Sequence, residues 1–153
     1  MRRIVTSMLF FSVLVLTPVL SYSQGAEPKA GGEHAGRTTV FLTEAEREAV
    51  LSEMRAFLES TESIVKAISD VDMALVAESA RKSGRSAGAD MPKTLHGKLP
   101  ASFRKLGSDT HRKFDELALD AEQLGDEGHS LSQLGALLGN CVSCHASFRI
   151  EVE

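Results

Sequence analysis

The sequence predicts an all-α protein, an antiparallel bundle of four helices. Three observations predict this fold class. Apolar residues recur at steps of three and four in four successive segments, a helix start signal precedes each segment, and no stretch alternates apolar with polar residues as a half-buried strand does. Short connections, except between the second and third segments, favour antiparallel neighbours. The chain has 153 residues, 42% of them hydrophobic, which is enough to bury one core.

The first helix is predicted to begin after Thr43. Thr43 and Glu46 have the spacing of a capping box, in which each side chain satisfies a backbone N–H at the helix start. The apolar stripe that follows predicts one long amphipathic helix. It consists of Val50, Leu51, Met54, Phe57, Leu58, Thr61, Ile64, Val65 and Ile68.

The second helix is shorter and less apolar. Asp70 or Asp72 can cap it, and Gly84 is expected to end it. Its apolar face consists of Met73, Val76, Ala77 and Ala80. The next segment, residues 86–100, contains Pro, Gly and mixed polar residues, which predicts a long crossing loop.

The third helix is predicted to begin after Pro100, because proline suits the first turn of a helix. Gly107 lies inside it and weakens it by up to about 1 kcal/mol relative to alanine. This cost suggests that another group comes close at Gly107. The apolar stripe consists of Phe103, Leu106, Thr110, Phe114, Leu117, Ala121 and Leu124.

The fourth helix follows the turn at residues 125–128. Ser130 and Gln133 have the spacing of a second capping box. The stripe after them places both cysteines of the chain on the helix and predicts that His145 points inward. It consists of Leu131, Leu134, Leu138, Cys141, His145 and Phe148.

The N-terminal residues predict export. Arg2 and Arg3 precede an apolar run and small polar residues, the pattern of a secretory signal peptide over residues 1–23; an uncleaved membrane anchor is the alternative. Residues 24–42 read as a flexible leader, and residues 43–153 as the single helical domain, located in the periplasm. The net charge is −4, and −6 without residues 1–23. This acidity argues against nucleic acid or an anionic membrane as a partner.

The pentapeptide CVSCH at residues 141–145 carries the chemistry. C-x-x-C-H is the attachment motif for c-type haem, in which Cys141 and Cys144 bind the haem covalently and His145 is the axial ligand of the iron. Residues three and four apart lie on one face of a helix, so these side chains can meet one macrocycle. A disulfide or a redox dithiol remains the alternative. A structural zinc site would need a fourth ligand from a remote histidine.

The chain resembles the cytochrome c′ family, with the related cytochromes c-556, which are exported four-helix-bundle haem proteins. The resemblance lies in CVSCHASFR at residues 141–149, similar to the family's CxxCHxxYR ending, and in REAVLSEM at residues 47–54 followed by IVK at 64–66. It implies one covalent haem c in the last helix of an antiparallel four-helix bundle.

The resemblance also implies roles around the iron. Leu51 falls at the distal pocket position and Arg149 beside the proximal side. Because leucine has no lone pair for iron, the iron is expected to be five-coordinate. Met54, one turn beyond Leu51, and His111, in the third helix, are possible sixth ligands, although core packing for Met54 and a hydrogen-bonded role for His111 are the simpler interpretations.

We therefore expect an exported monohaem cytochrome that transfers electrons to a redox partner protein. The alternative is an NO- or CO-binding haem protein for sensing, storage or detoxification, and a haem-free thiol-disulfide protein is a third hypothesis. The sequence contains no catalytic carboxylate pair, nucleophile triad or phosphate-binding loop, so we expect no enzymatic activity. The family resemblance suggests a homodimer through the first two helices.

Overall fold

A computed structural model of the protein describes residues 36–153. The expected signal peptide at residues 1–23, and residues 24–35 of the expected leader, lie outside this range. Among the described helices, none is long and apolar enough to cross a membrane. The elements in chain order are β1 (Thr38–Leu42), α1 (Glu44–Ser69), α2 (Met73–Arg81), a 3-10 helix (Ala87–Asp90), α3 (Leu95–Lys98), α4 (Ala101–Leu124), α5 (Glu127–Ser147) and β2 (Phe148–Val152).

The prediction of a mainly helical protein is confirmed, and the four predicted helices correspond to α1, α2, α4 and α5. The capping box that starts α1 is present: the Glu46 N–H donates to Thr43 Oγ1 at 3.3 Å, and the Thr43 N–H donates to Glu46 Oε2 at 3.0 Å. Asp72 caps α2. Gly125 ends α4 with φ 62°, a left-handed conformation that glycine adopts without a steric penalty.

Two short strands are a correction to the sequence-based fold. β1 and β2 form a parallel pair in which Thr38 lies opposite Phe148 and Leu42 opposite Val152. We expected residues 38–42 to belong to the flexible leader and Phe148 to lie in the last helix, and both expectations are wrong. The strand pair was missed because its partners are 110 residues apart in sequence, and neither is long enough to show a clear alternation.

The start of α5 is a second correction. Its cap is Asp126, whose Oδ1 accepts the His129 N–H at 2.7 Å, and not Ser130. Ser130 instead lies one turn inside the helix and is fully buried. The left-handed Gly125 reverses the chain so sharply that Asp126 is already at the helix start, which makes the Ser130 and Gln133 spacing coincidental.

The buried side chains form two groups. The main cluster fills the space between α1, α2, α4 and α5, and consists of Phe57, Ile64, Ala67, Val76, Ala77, Ala80, Phe114, Leu117, Ala118, Ala121, Leu134 and Leu137. The terminal cluster lies beneath the strand pair, and consists of Val40, Leu42, Val50, Leu95 and Phe148. The terminal cluster therefore connects the beginning of α1 to the end of α5.

Candidate functional site

The two cysteines lie in the last two turns of α5. Both thiols are half-buried and form no disulfide. Cys141 packs against the main cluster and Cys144 against the terminal cluster. The thiols therefore lie where the two clusters meet, and Met54 of α1 packs against both clusters at the same boundary.

The surroundings of the thiols differ from those of a reactive dithiol. Burial raises the pKa of Cys141 and of Cys144. Redox-active cysteines have lowered pKa values, commonly at the N-terminus of a helix, whereas this pair lies near the C-terminal end of α5. The arrangement therefore favours thiols that anchor a group over thiols that exchange disulfides.

His145 is exposed, which corrects the prediction that it points inward. The buried face of α5 consists of Ser130, Leu134, Leu137 and Asn140, whereas Leu131 and Leu138 are exposed. The predicted stripe combined two rows of residues, and within each row the residues are seven apart. Only the row that contains Leu134 and Cys141 turns inward. The row of Leu131, Leu138 and His145 lies at the edge of the buried face.

Polar contacts show which flank of each helix these rows occupy. In α5, Asn140 bonds to side chains of α4, and in α1, Ser60 bonds to Ser83 Oγ at 2.7 Å, after the end of α2. Residues two apart on a helix point about 160° away from each other. Leu138 lies two residues before Asn140 and therefore on the flank of α5 that points away from α4. Leu58 lies two residues before Ser60 and therefore on the flank of α1 that points away from α2. α5 and α1 adjoin along these two flanks.

This junction carries an apolar surface, which we call the α1/α5 flank. On α1 this surface consists of Leu51, which is half-buried, and of Leu58 and Val65, which are exposed and follow at steps of seven residues. Val142, between the cysteines, is 71% exposed. The α1/α5 flank consists of Leu51, Leu58, Val65, Leu131, Leu138 and Val142. Because the strand pair ties the start of α1 to the end of α5, Leu51 and Met54 lie at the same end of the bundle as the cysteines.

A partly buried polar network around the buried Asn140, which the sequence analysis missed, lies beside Cys141. Asn140 Nδ2 donates to Asp109 Oδ2 at 2.9 Å, and Asn140 Oδ1 accepts from Lys113 Nζ at 2.9 Å. The hydrogen bond from Asn140, and after it those from Arg112 and Lys113, hold the pKa of Asp109 well below its usual range. The network fixes the rotation of α5 about its axis next to the attachment motif. An amide residue on a mainly apolar helix face, directly before Cys141, was the available signal.

His111 has both ring nitrogens engaged. Nδ1 lies 2.9 Å from the Ser83 carbonyl oxygen, and Nε2 lies 3.2 Å from Glu53 Oε1. Both partners are acceptors, so the ring can satisfy them only by donating from both nitrogens, as the imidazolium does. Accordingly, the Glu53 carboxylate raises the pKa of His111. In this arrangement His111 offers no lone pair to a metal.

Arg149 lies in β2, beyond the end of α5. Its Nε donates to Thr39 Oγ1 at 2.8 Å, and its Nη1 pairs with Glu151 at 3.0 Å. The side chain therefore ties the two strands together at the base of the motif. Within residues 36–153, no three His, Cys, Asp or Glu side chains converge as a metal site.

A helical bundle with unpaired cysteines and a histidine in the order C-x-x-C-H on its last helix defines the class of bundle-type c-type cytochromes. The chain is 33% identical over 122 residues to cytochrome c′ of Rhodopseudomonas palustris (strain ATCC BAA-98 / CGA009), a match that covers 69% of this chain and 80% of that protein. The chain belongs to the cytochrome c′ family. No family model and no solved structure matches it.

Proposed function

We propose that the protein is an exported monohaem cytochrome that transfers electrons, with Cys141 and Cys144 in thioether links to one haem c and His145 as the axial ligand of the iron. When bound, the haem supplies an iron that cycles between the ferric and ferrous states. The carrying observation is the placement of both unpaired thiols at the boundary between the two clusters, against which Met54 also packs.

The residues present fit a haem. Two thiols one helical turn apart match the attachment chemistry, and the adjacent imidazole can turn towards the iron because its side chain is exposed. The apolar α1/α5 flank would cover a macrocycle that projects from the thiols. Leu58 is a large apolar side chain that is 69% exposed. Its burial against the macrocycle would remove apolar surface from water and so stabilise the haem-bound protein.

Side-chain pairs between α4 and α5 support the antiparallel order of the bundle. Asp109, early in α4, pairs with Asn140, late in α5. Asp120, late in α4, accepts from Gln133 Nε2 at 2.7 Å. The numbering rises along one helix as it falls along the other, as it does for antiparallel neighbours.

A second function, binding of NO or CO, is favoured by Leu51. Leucine cannot ligate iron, and Leu51 lies at the end of the bundle that carries the thiols, so the iron is proposed to be five-coordinate with Leu51 limiting access. Met54 remains a possible sixth ligand because it packs against both of the clusters that the cysteines pack against. The two engaged nitrogens of His111 argue against that residue.

Residues 1–23 would direct the chain to the periplasm, where the mature chain would carry a net charge of −6. An acidic surface suits docking on a basic redox partner protein. A homodimer through α1 and α2 is proposed from the family, and no enzymatic activity is proposed.

The haem proposal is tested by exporting the protein from a host with haem-attachment machinery and recording its optical spectrum. The wild type should show a Soret band, and a haem stain should follow the polypeptide through a denaturing gel. Cys141→Ser together with Cys144→Ser should remove the stain, whereas Val142→Ala, a matched change of the exposed residue between them, should retain it. A wild type without a Soret band would contradict the proposal and favour the haem-free thiol-disulfide protein.

Coordination is tested by the reduced spectrum and by CO. A five-coordinate iron predicts a spectrum that changes on adding CO, and Leu51→Ala should speed CO binding. Leu119→Ala, at an exposed leucine of α4 that does not belong to the α1/α5 flank, is the control and should leave the rate unchanged. A reduced spectrum insensitive to CO in the wild type, and restored to CO sensitivity by Met54→Leu, would instead assign Met54 as the sixth ligand.

A further inference from the structure

The turn between α4 and α5 brings three polar side chains together. Asp120 lies in the last two turns of α4, and His129 and Gln133 lie in the first two turns of α5. His129 Nε2 lies 3.0 Å from Asp120 Oδ2, and Gln133 Nε2 donates to the same oxygen at 2.7 Å. His129 is about 18 Å from Cys141 along α5 at the rise of a helix. The group therefore lies apart from the attachment motif.

The spacing of the imidazole nitrogen and the carboxylate oxygen fits a zinc ion. Zinc binds a histidine nitrogen at about 2.0–2.1 Å and a carboxylate oxygen at about 2.0–2.2 Å, so two such ligands lie roughly 3.0–3.4 Å apart. His129 Nε2 and Asp120 Oδ2, 3.0 Å apart, already have this separation. His129 is exposed and Asp120 is partly exposed, so an ion can reach both from solvent. Zinc would take the place of the hydrogen between the two atoms, and the neutral imidazole would carry its proton on Nδ1.

Gln133 can supply a third ligand. It lies four residues after His129, which places both side chains on one face of α5. Its Oε1 is buried and, within residues 36–153, has no hydrogen-bond partner, an arrangement that costs free energy. Rotation of the amide by half a turn would bring this oxygen to the position of Nε2, 2.7 Å from Asp120 Oδ2. Two oxygens repel each other at that distance unless a cation lies between them, so a bound ion would give Oε1 its missing partner.

The charges around the turn favour a cation. Residues 114–148 contain six Asp or Glu side chains and no Lys or Arg. Three of the six carboxylates pair with arginines from outside this range, namely Asp115 with Arg85, Glu116 with Arg112 and Glu122 with Arg81. Among the described residues, the other three, Asp120, Asp126 and Glu127, form no ion pair with Lys or Arg. The turn thus carries an excess of negative charge beside His129.

We propose that this group binds one zinc ion through His129 Nε2, the Asp120 carboxylate and the Gln133 amide oxygen, with water as the fourth ligand. Imidazole nitrogen suits zinc, whereas Mg²⁺ prefers an octahedral shell of oxygen ligands. The site should therefore distinguish zinc from a cation that is attracted by the acidic charge alone. It depends on the α4/α5 turn and not on the state of the iron.

The test is calorimetric titration of the exported, haem-loaded protein with Zn²⁺ and with Mg²⁺. Haem attachment takes up the thiols of Cys141 and Cys144, which would otherwise compete for zinc. The wild type should bind Zn²⁺ and give no heat of binding with Mg²⁺. A change to a residue that only supports a metal ligand typically costs about 10–100-fold in affinity, so His129→Gln, which removes a ligand, should weaken Zn²⁺ binding by at least about tenfold. His96→Gln, at an exposed histidine of α3, is the matched control and should bind Zn²⁺ as the wild type does.

Gln133→Glu completes the test with an expected gain. A carboxylate in place of the neutral amide oxygen should tighten Zn²⁺ binding several-fold, an outcome that loss of folding cannot produce. Any of four results overturns the proposal: no heat of binding with Zn²⁺ at millimolar concentration, equal affinity of the wild type for Zn²⁺ and Mg²⁺, equal Zn²⁺ affinity of the His129→Gln and His96→Gln variants, or no tighter binding by Gln133→Glu.

Discussion

Leu42→Ala should destabilise the protein far more than Phe41→Ala, although the two residues are neighbours in β1. Leu42 is fully buried in the terminal cluster, whereas Phe41 is 55% exposed. A buried Leu→Ala change costs about 2–5 kcal/mol; because the terminal cluster is small and lies near the surface, we expect about 2–3 kcal/mol. An exposed residue is expected to cost within about 0.5 kcal/mol.

The assay is urea unfolding of the exported protein, followed by far-ultraviolet circular dichroism. With an m-value of about 2 kcal/mol per molar, Leu42→Ala should lower the urea midpoint by roughly 1–1.5 M, with an unchanged slope. Phe41→Ala should leave the midpoint close to that of the wild type. Equal midpoints for the two variants would show that β1 does not pack on the terminal cluster, and the description of the chain before α1 would then be wrong.

Three further changes probe the core and the polar contacts. Phe114→Ala, at the largest fully buried side chain, should cost about 3–5 kcal/mol in the same urea assay, and a cost below 1 kcal/mol would contradict the main cluster as described. Lys98 Nζ, which donates to Glu46 at 2.8 Å, is the largest cause that lowers the Glu46 pKa from 4.5 to about 2. The unfolded chain thus binds a proton before the folded one, so this contribution to stability is present above pH 4.5 and is lost as the pH falls to about 2. Glu46→Gln should reduce the loss of unfolding free energy between pH 4.5 and about 2. An unchanged loss would show that Glu46 is not the group responsible. Asn140→Leu should destabilise the protein because it removes the hydrogen bonds of Asn140 to Asp109 and Lys113. It should also return the Asp109 pKa, measured by NMR titration, towards its ordinary value; an unmoved pKa would count against the network.

The helices could be predicted because their signals are local. The capping box of Thr43 and Glu46 and the stripe behind it lie within one stretch of chain, and both appear in α1 as expected. The attachment motif was equally local, since Cys141, Cys144 and the adjacent His145 lie within five residues and together predict haem attachment. For these local features, the sequence-based prediction and the structure differ only in where the helices begin and end.

The features that could not be predicted depend on what each segment packs against. The orientation of His145 follows from the rotation of α5, which the Asn140 network with α4 determines and which no periodicity within α5 reveals. The β1/β2 pair needs a partner 110 residues away. We expected another group to lie close to Gly107, but the space beside it is open. A helix glycine is compatible with either arrangement, and only the neighbouring elements decide between them.

Mass spectrometry of the exported wild-type protein tests the central claim most directly. After proteolysis, the peptide that contains residues 141–149 should carry the mass of one haem, attached through both Cys141 and Cys144. Recovery of the same peptide with two unmodified thiols, or with a disulfide between them, would contradict the assignment of this protein as a covalent haem carrier.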